Sequence, residues 1–102
     1  MSEIPAGVDI ETIYVVEARY SPEAPARRPA VRPEHLARIA DLQRRGIVLE
    51  AGGYLDFSSA LLLFRVADEA TARSIIEQDV YFRSGVWTDF TVRGFGRVVT
   101  AA

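Results

Sequence analysis

Cysteine is absent from this sequence, which excludes disulfides, thiolate zinc sites and cysteine nucleophiles. A basic surplus is missing as well. Twelve basic residues face fourteen acidic ones, for a net charge of −2. Nucleic-acid binding needs a basic face, so it is not expected, although Arg27, Arg28 and Arg32 cluster. No run approaches the ~20 apolar residues of a membrane span. Met1 to Val8 lacks a basic n-region and a long apolar run, so it does not read as a signal peptide. The expected location is the cytoplasm. Histidine occurs once, at His35, and with no cysteine beside it no dedicated metal site is expected. Gly52-Gly53 and Gly94-x-Gly96 do not open a helix after a strand, so they are not nucleotide loops. No cofactor is expected.

What is present is one domain's worth of chain. Its 102 residues, 49% apolar and 25% charged, suit a single globular domain over 1–102. The core is expected over 12–99, with 1–10 as a leader broken by Pro5 and Gly7. Thr12 to Tyr20 is rich in β-branched and aromatic residues and reads as a strand. Pro22, Pro25 and Pro29 make 21–31 a proline-rich loop. Pro33 opens a helix whose stripe is Leu36, Ile39, Ala40 and Leu42, and Gly46 ends it. Strands follow at Ile47–Leu55 and Ala60–Val66, around a turn at Asp56–Ser59. Asp68 caps a second helix with the stripe Ala72, Ile75 and Ile76. Val80 to Gly85 is a connector. Val86 to Val99 is a last strand, expected to kink at Gly94 and Gly96.

The order β-α-β-β-α-β, joined by right-handed crossovers, predicts a ferredoxin-like α+β fold. Its sheet is four-stranded and antiparallel, with two helices on one face. Two strands do not alternate as a half-wet strand should: Ile13 to Val16 and Leu61 to Phe64. Both of their faces call for burial, and two helices cover only one. A homodimer through the open sheet face is the expected cover.

Two residues carry candidate chemistry. His35 lies at the edge of the first helix's apolar stripe, in what reads as its first turn, where the helix dipole disfavours an imidazolium. A neutral imidazole can serve as general base. Asp79 extends the stripe of the second helix and sits at its C-terminus, against both burial and dipole, so it needs a partner. The topology brings the start of the first helix and the end of the second to one rim. There the carboxylate can fix the imidazole tautomer. Arg32, Tyr81, Trp87 and the Asp56–Ser59 turn with Ser58 converge on the same end as candidate substrate-binding groups, and the proline-rich segment is placed to act as a lid. Each has a structural alternative. A lone histidine is commonly a packed residue, Asp79 can close a helix through a turn bond, and Tyr81 and Trp87 can be core or interface.

The same residues carry a resemblance. Arg32-Pro33-Glu34-His35-Leu36, with Leu42 and Gly46, resembles the R-x-x-H-L…L…G signature of the YCII-related family. Ala51-Gly52, Asp79-Val80-Tyr81 through Gly85-Val86, and Val92 to Phe95 resemble its A-G, D-P-Y-x-x-x-G-V and V-x-P-F segments. The resemblance runs from about Thr12 to Val99. It implies a dimeric α+β barrel with the histidine and aspartate, here His35 and Asp79, at the active site. Relatives of that fold include dehydrochlorinases, chloromuconolactone dehalogenases and muconolactone isomerases. Two prolines of the pattern are replaced, by Val80 after the aspartate and by Gly53 after the A-G. The first loosens the backbone at Asp79, and the second opens the pocket floor.

Together these readings point to a cofactor-free enzyme moving protons on a small anionic or cyclic organic molecule. His35 is the general acid/base, Asp79 its orienting partner and Arg32 the group that meets an acidic substrate. Isomerisation, elimination and ring closure or opening fit this equipment. The alternatives are a non-catalytic small-molecule-binding or accessory module, and a pure assembly unit with no usable cavity.

Overall fold

The computed structural model describes residues 3–100. Four strands, β1 (Val8–Tyr20), β2 (Val48–Gly53), β3 (Ser59–Phe64) and β4 (Trp87–Thr100), form one antiparallel sheet in the order β2-β3-β1-β4. Three helices complete the chain: α1 (Ala24–Arg44), α2 (Glu69–Glu77) and the single turn α3 (Val80–Arg83). This is the ferredoxin-like α+β arrangement.

Pairing register decides which residues meet the helices. Val16 stands opposite Leu62, and Ala18 opposite Ala60. These residues and Phe64 are buried with Ile39 and Leu42 of α1, Ala72 and Ile76 of α2, and Tyr81 of α3. Strand side chains alternate faces, so the opposite set lies on the open face. That set includes Val15, Leu61 and Leu63, all half-buried, and Phe95, which is half exposed.

The expected loop over 21–31 is helix from Ala24 onward. Proline removes a helical N–H and crowds the carbonyl four residues back. Here Pro25, Pro29 and Pro33 recur every fourth position, so their defects stack on one helix face, and all three are exposed. Water can satisfy the freed carbonyls there. Pro25 lies in the first turn, where no N–H bond is lost. Tertiary contacts hold the opposite face: Ala24 is fully buried, and Arg27 donates to the Ser84 carbonyl at 3.4 Å. The segment expected to serve as a lid is therefore a packed helix.

Helix ends follow local chemistry. Gly46 takes φ +74°, its N–H bonding the Gln43 carbonyl and that of Ile47 the Leu42 carbonyl, which is a Schellman closure. The Asp68 carboxylate accepts from the Thr71 N–H at 2.8 Å and starts α2.

β1 begins at Val8, inside the expected leader, because Val8 to Ile10 pair with Thr100 to Val98. β4 runs through Gly94 and Gly96 in unbroken register, without the expected kink. A Cβ at Gly96 would come within 3.1 Å of Ile10, so that glycine makes room for a cross-strand neighbour. The register shift falls instead at Arg19/Tyr20, where Tyr20 pairs with Trp87. Bulges re-aim side chains, and both of these residues line the cavity described next.

Candidate active site

His35 and Asp79 meet. The imidazole Nδ1 lies 2.8 Å from Asp79 Oδ1, with both side chains buried. They are brought together from α1 and from the junction between α2 and α3. Asp79 follows α2, as its position in the stripe implied, but it is also the N-cap of α3, accepting the Tyr81 N–H at 2.9 Å through Oδ1. The turn bond and the histidine contact therefore coexist. Val80 in place of proline does not loosen this aspartate, because three donors hold it.

The third donor is Arg38, whose role the sequence left unassigned. Its Nη1 donates to Asp79 Oδ2 at 3.0 Å, and its Nη2 donates to the Ile75 carbonyl at 3.0 Å. The signal was its place three residues after His35, on the same face of a helix. Burial pushes the Asp79 carboxyl up. The hydrogen bond and charge of His35, the Tyr81 N–H and the Arg38 charge outweigh that and hold it below the ordinary carboxylate value.

A carboxylate accepts, so Nδ1 must carry hydrogen. The neutral tautomer then leaves a lone pair on Nε2, and no hydrogen bond from the described residues occupies that nitrogen. The expected dipole effect does not apply, since His35 lies well inside α1 rather than in its first turn. Aromatic packing fixes the ring instead. Tyr81 stacks on it at 3.7 Å and 9°, and Trp87 meets both rings edge-on at 5.3 Å.

The ring lines a cavity of about 250 Å³ between α1 and the β2 end of the sheet. Arg32, Tyr81 and Trp87 line it too, so four of the sequence's candidates share one space. Arg32 stands exposed at its rim. Ser58 is elsewhere. It lines a shallow depression with Glu17, Arg19 and Asp56, and its N–H bonds the Asp56 carboxylate at 2.9 Å. That bond tightens the β2–β3 turn, and Ser58 lies outside the cavity lining.

Arg28 and Tyr20 also line the cavity and were not among the candidates. Arg28 lay in the segment read as loop. Placing it in α1 sets it four residues before Arg32, on the face that carries His35. Arg28 Nε donates to the Tyr81 hydroxyl at 3.3 Å. Tyr20 is half-buried; burial pushes its phenol up, against the nearby Arg28 charge. Its hydroxyl fills the space that a Cβ at Gly53 would need. Glycine there therefore admits a phenol rather than opening the floor.

Among the described residues, no group of three His, Cys, Asp or Glu is placed to hold a metal ion. No helix among them is long and apolar enough to cross a membrane.

Comparison with known proteins bears on the family and the fold. The YCII-related domain family matches residues 12–96. An uncharacterized protein of Haemophilus influenzae is 30% identical over 83% of this chain and 97% of its own. Protein YciI of Escherichia coli is 27% identical over 84% of this chain and 98% of its own. The fold matches the Burkholderia phenoliruptrix enzyme 5-chloro-2-hydroxyhydroquinone dehydrochlorinase, solved with 2,5-dihydroxybenzoquinone. Its TM-score is 0.69 at 17% identity, covering 79% of this chain and 90% of that one. With the family spanning nearly the whole fold, His35 and Asp79 included, the chain belongs to the YCII-related domain family.

Proposed function

We propose that this protein is an enzyme that moves protons on a small organic molecule, with His35 as general acid/base. One observation carries the reading: a buried imidazole that lines a cavity is held at Nδ1 by Asp79, while no hydrogen bond from the described residues occupies Nε2. Nε2 takes a proton from a substrate C–H or O–H. The imidazolium is stabilised by the Asp79 carboxylate and the face of Tyr81. Returning the proton to another atom completes an isomerisation. Losing a leaving group from the neighbouring carbon completes an elimination. In the second case the C–H electron pair becomes the new π bond, and a halide leaves with its own pair. Arg32 meets an acidic substituent at the rim. The dehydrochlorinase that shares the fold supports the elimination form, and a single ring suits a cavity of this size.

The working unit in this proposal is a homodimer. Val15, Leu61, Leu63 and Phe95 give the open sheet face its apolar surface. A second copy is the simplest cover that closes without further growth. Leu63→Arg is expected to give monomers in size-exclusion chromatography with light scattering. A variant that stays dimeric sinks this assignment.

His35→Ala is the test of the chemistry. Turnover is expected to fall to background while circular dichroism and dimer mass stay as in the wild type. Unfolding with no separable loss of turnover would make His35 a packing residue. One observation favours the second reading, a non-catalytic binding module: the residue is 8% exposed and its ring is in contact with two aromatic neighbours. An imidazole titration that ignores Asp79→Asn, followed by NMR of this sole histidine, would support that module.

A further inference from the structure

Part of the cavity wall is not used by proton transfer. The arginines of this chain generally find carboxylates: Arg19 pairs with Asp89, Arg38 with Asp79, Arg73 with Glu69, and Arg65 and Arg97 share Glu11. Arg27, Arg28, Arg32 and Arg93 have no carboxylate partner among the described residues, and of these four Arg28 and Arg32 line the cavity. Arg28 lies over the Phe57 ring at 4.9 Å and donates to the neutral Tyr81 hydroxyl. Arg32 makes no hydrogen bond or ion pair among the described residues. They stand four residues apart on α1, where like charges repel, and both face one cavity. His35 follows less than one turn after Arg32. An anion between the two guanidiniums would relieve that repulsion.

We infer that Arg28 and Arg32 form a carboxylate subsite, and that the cavity takes a small planar ring acid bound through its carboxylate there. Only the ring's further placement, with its reactive C–H or O–H against His35, rests on the proton-transfer reading. The guanidinium fork matches the two oxygens of a flat carboxylate. The rest of the wall suits a ring. Leu36, Leu55 and Leu62 are apolar, and Gly52 and Gly53 contribute backbone without side chains. A flat ring can lie on such a strand edge, with its rim toward the stacked His35–Tyr81 pair.

Trp87 is the sole tryptophan and lines this cavity, so its fluorescence responds to occupation of the site. Benzoate, benzamide and inorganic phosphate are the probes. Benzoate is expected to change the emission saturably and to bind about tenfold or more tighter than benzamide, the effect of one charge-assisted contact. Arg32→Gln and Arg28→Gln are each expected to erase most of that preference, and Arg28→Lys to keep part of it. His35→Ala is expected to retain benzoate binding. Equal binding of benzoate and benzamide overturns the subsite, as does benzoate binding unchanged in both glutamine variants. Phosphate competing as well as benzoate overturns the carboxylate assignment. Loss of benzoate binding in His35→Ala alone places the acid on the imidazole and overturns it too. A His35→Ala variant that keeps both benzoate binding and full turnover leaves the subsite standing and removes the acid–base reading.

Discussion

Asp79 and Glu11 are each gripped by two basic side chains, and they differ mainly in where they sit. Asp79 lies between His35 and Arg38 under the helices and is almost fully buried. Glu11 lies between Arg65 and Arg97 on the sheet, with bonds of 2.6 and 2.9 Å and open access to solvent. The shorter bond belongs to the exposed site. Distance therefore does not rank them. Water screens Glu11 and its partners, so the pairing adds little. At Asp79 the surroundings are poor in water, and removing a partner leaves a charge uncompensated. The same three-group pattern serves as surface stitching in one place and holds a reactive ring in the other.

The sharpest way to break this comparison is Asp79→Ala. It strands Arg38 and removes the cap of α3, and it should cost about 3 kcal/mol in urea denaturation at neutral pH. That is the low end for a broken buried pair, because Arg38 keeps some contact with water. A loss no larger than that of Glu11→Ala would erase the distinction drawn above.

pH supplies a second cut. A carboxyl whose folded value is depressed adds stability above its unfolded value, about 3.9 for aspartate. That stability is lost as pH falls through the folded value. Asp79 is depressed, so the gap between wild type and Asp79→Asn should be widest above pH 4 and close on further acidification. A gap that stays constant down to pH 2 would show that the charge of Asp79 is not what stabilises.

Arg38→Gln is expected to be milder, about 1–2 kcal/mol, the range for a hydrogen bond to a charged group. His35 and the Tyr81 N–H still hold the carboxylate. Its acid limb should begin at higher pH, because one cause of the depression is gone. The smallest effect is expected from Glu11→Gln. Its denaturation midpoint in high salt should be indistinguishable from that of the wild type, and a clear loss there would mean the exposed network is coupled to the core.

The misreadings have specific causes. Composition makes Pro22, Pro25 and Pro29 a loop and Pro33 a helix start, whereas the four-residue spacing of Pro25, Pro29 and Pro33 confines the damage to an exposed face of one longer helix. Once α1 starts at Ala24, His35 is no longer at a helix start, and the argument from the dipole lapses with it. Gly94 and Gly96 were read as kinks. The register runs straight through both, and Gly96 gives steric relief to Ile10 across the strands, which depends on that register. Topological end alone points to Ser58, but side-chain direction places it in a separate depression while Leu55 of the same loop lines the cavity.

By itself the sequence determined the order of the strands and the two main helices, though not the single turn α3 in the segment that reads as a connector, along with the caps at Asp68 and Gly46 and the convergence of His35 and Asp79. These follow from local periodicity, local capping chemistry and the antiparallel course of the helices. Tertiary structure alone decided that Arg38 completes the Asp79 site, that Tyr20 fills the space beside Gly53, and that Arg28 faces the cavity. Those outcomes depend on side-chain direction and strand register, which are set only when distant segments pack against each other.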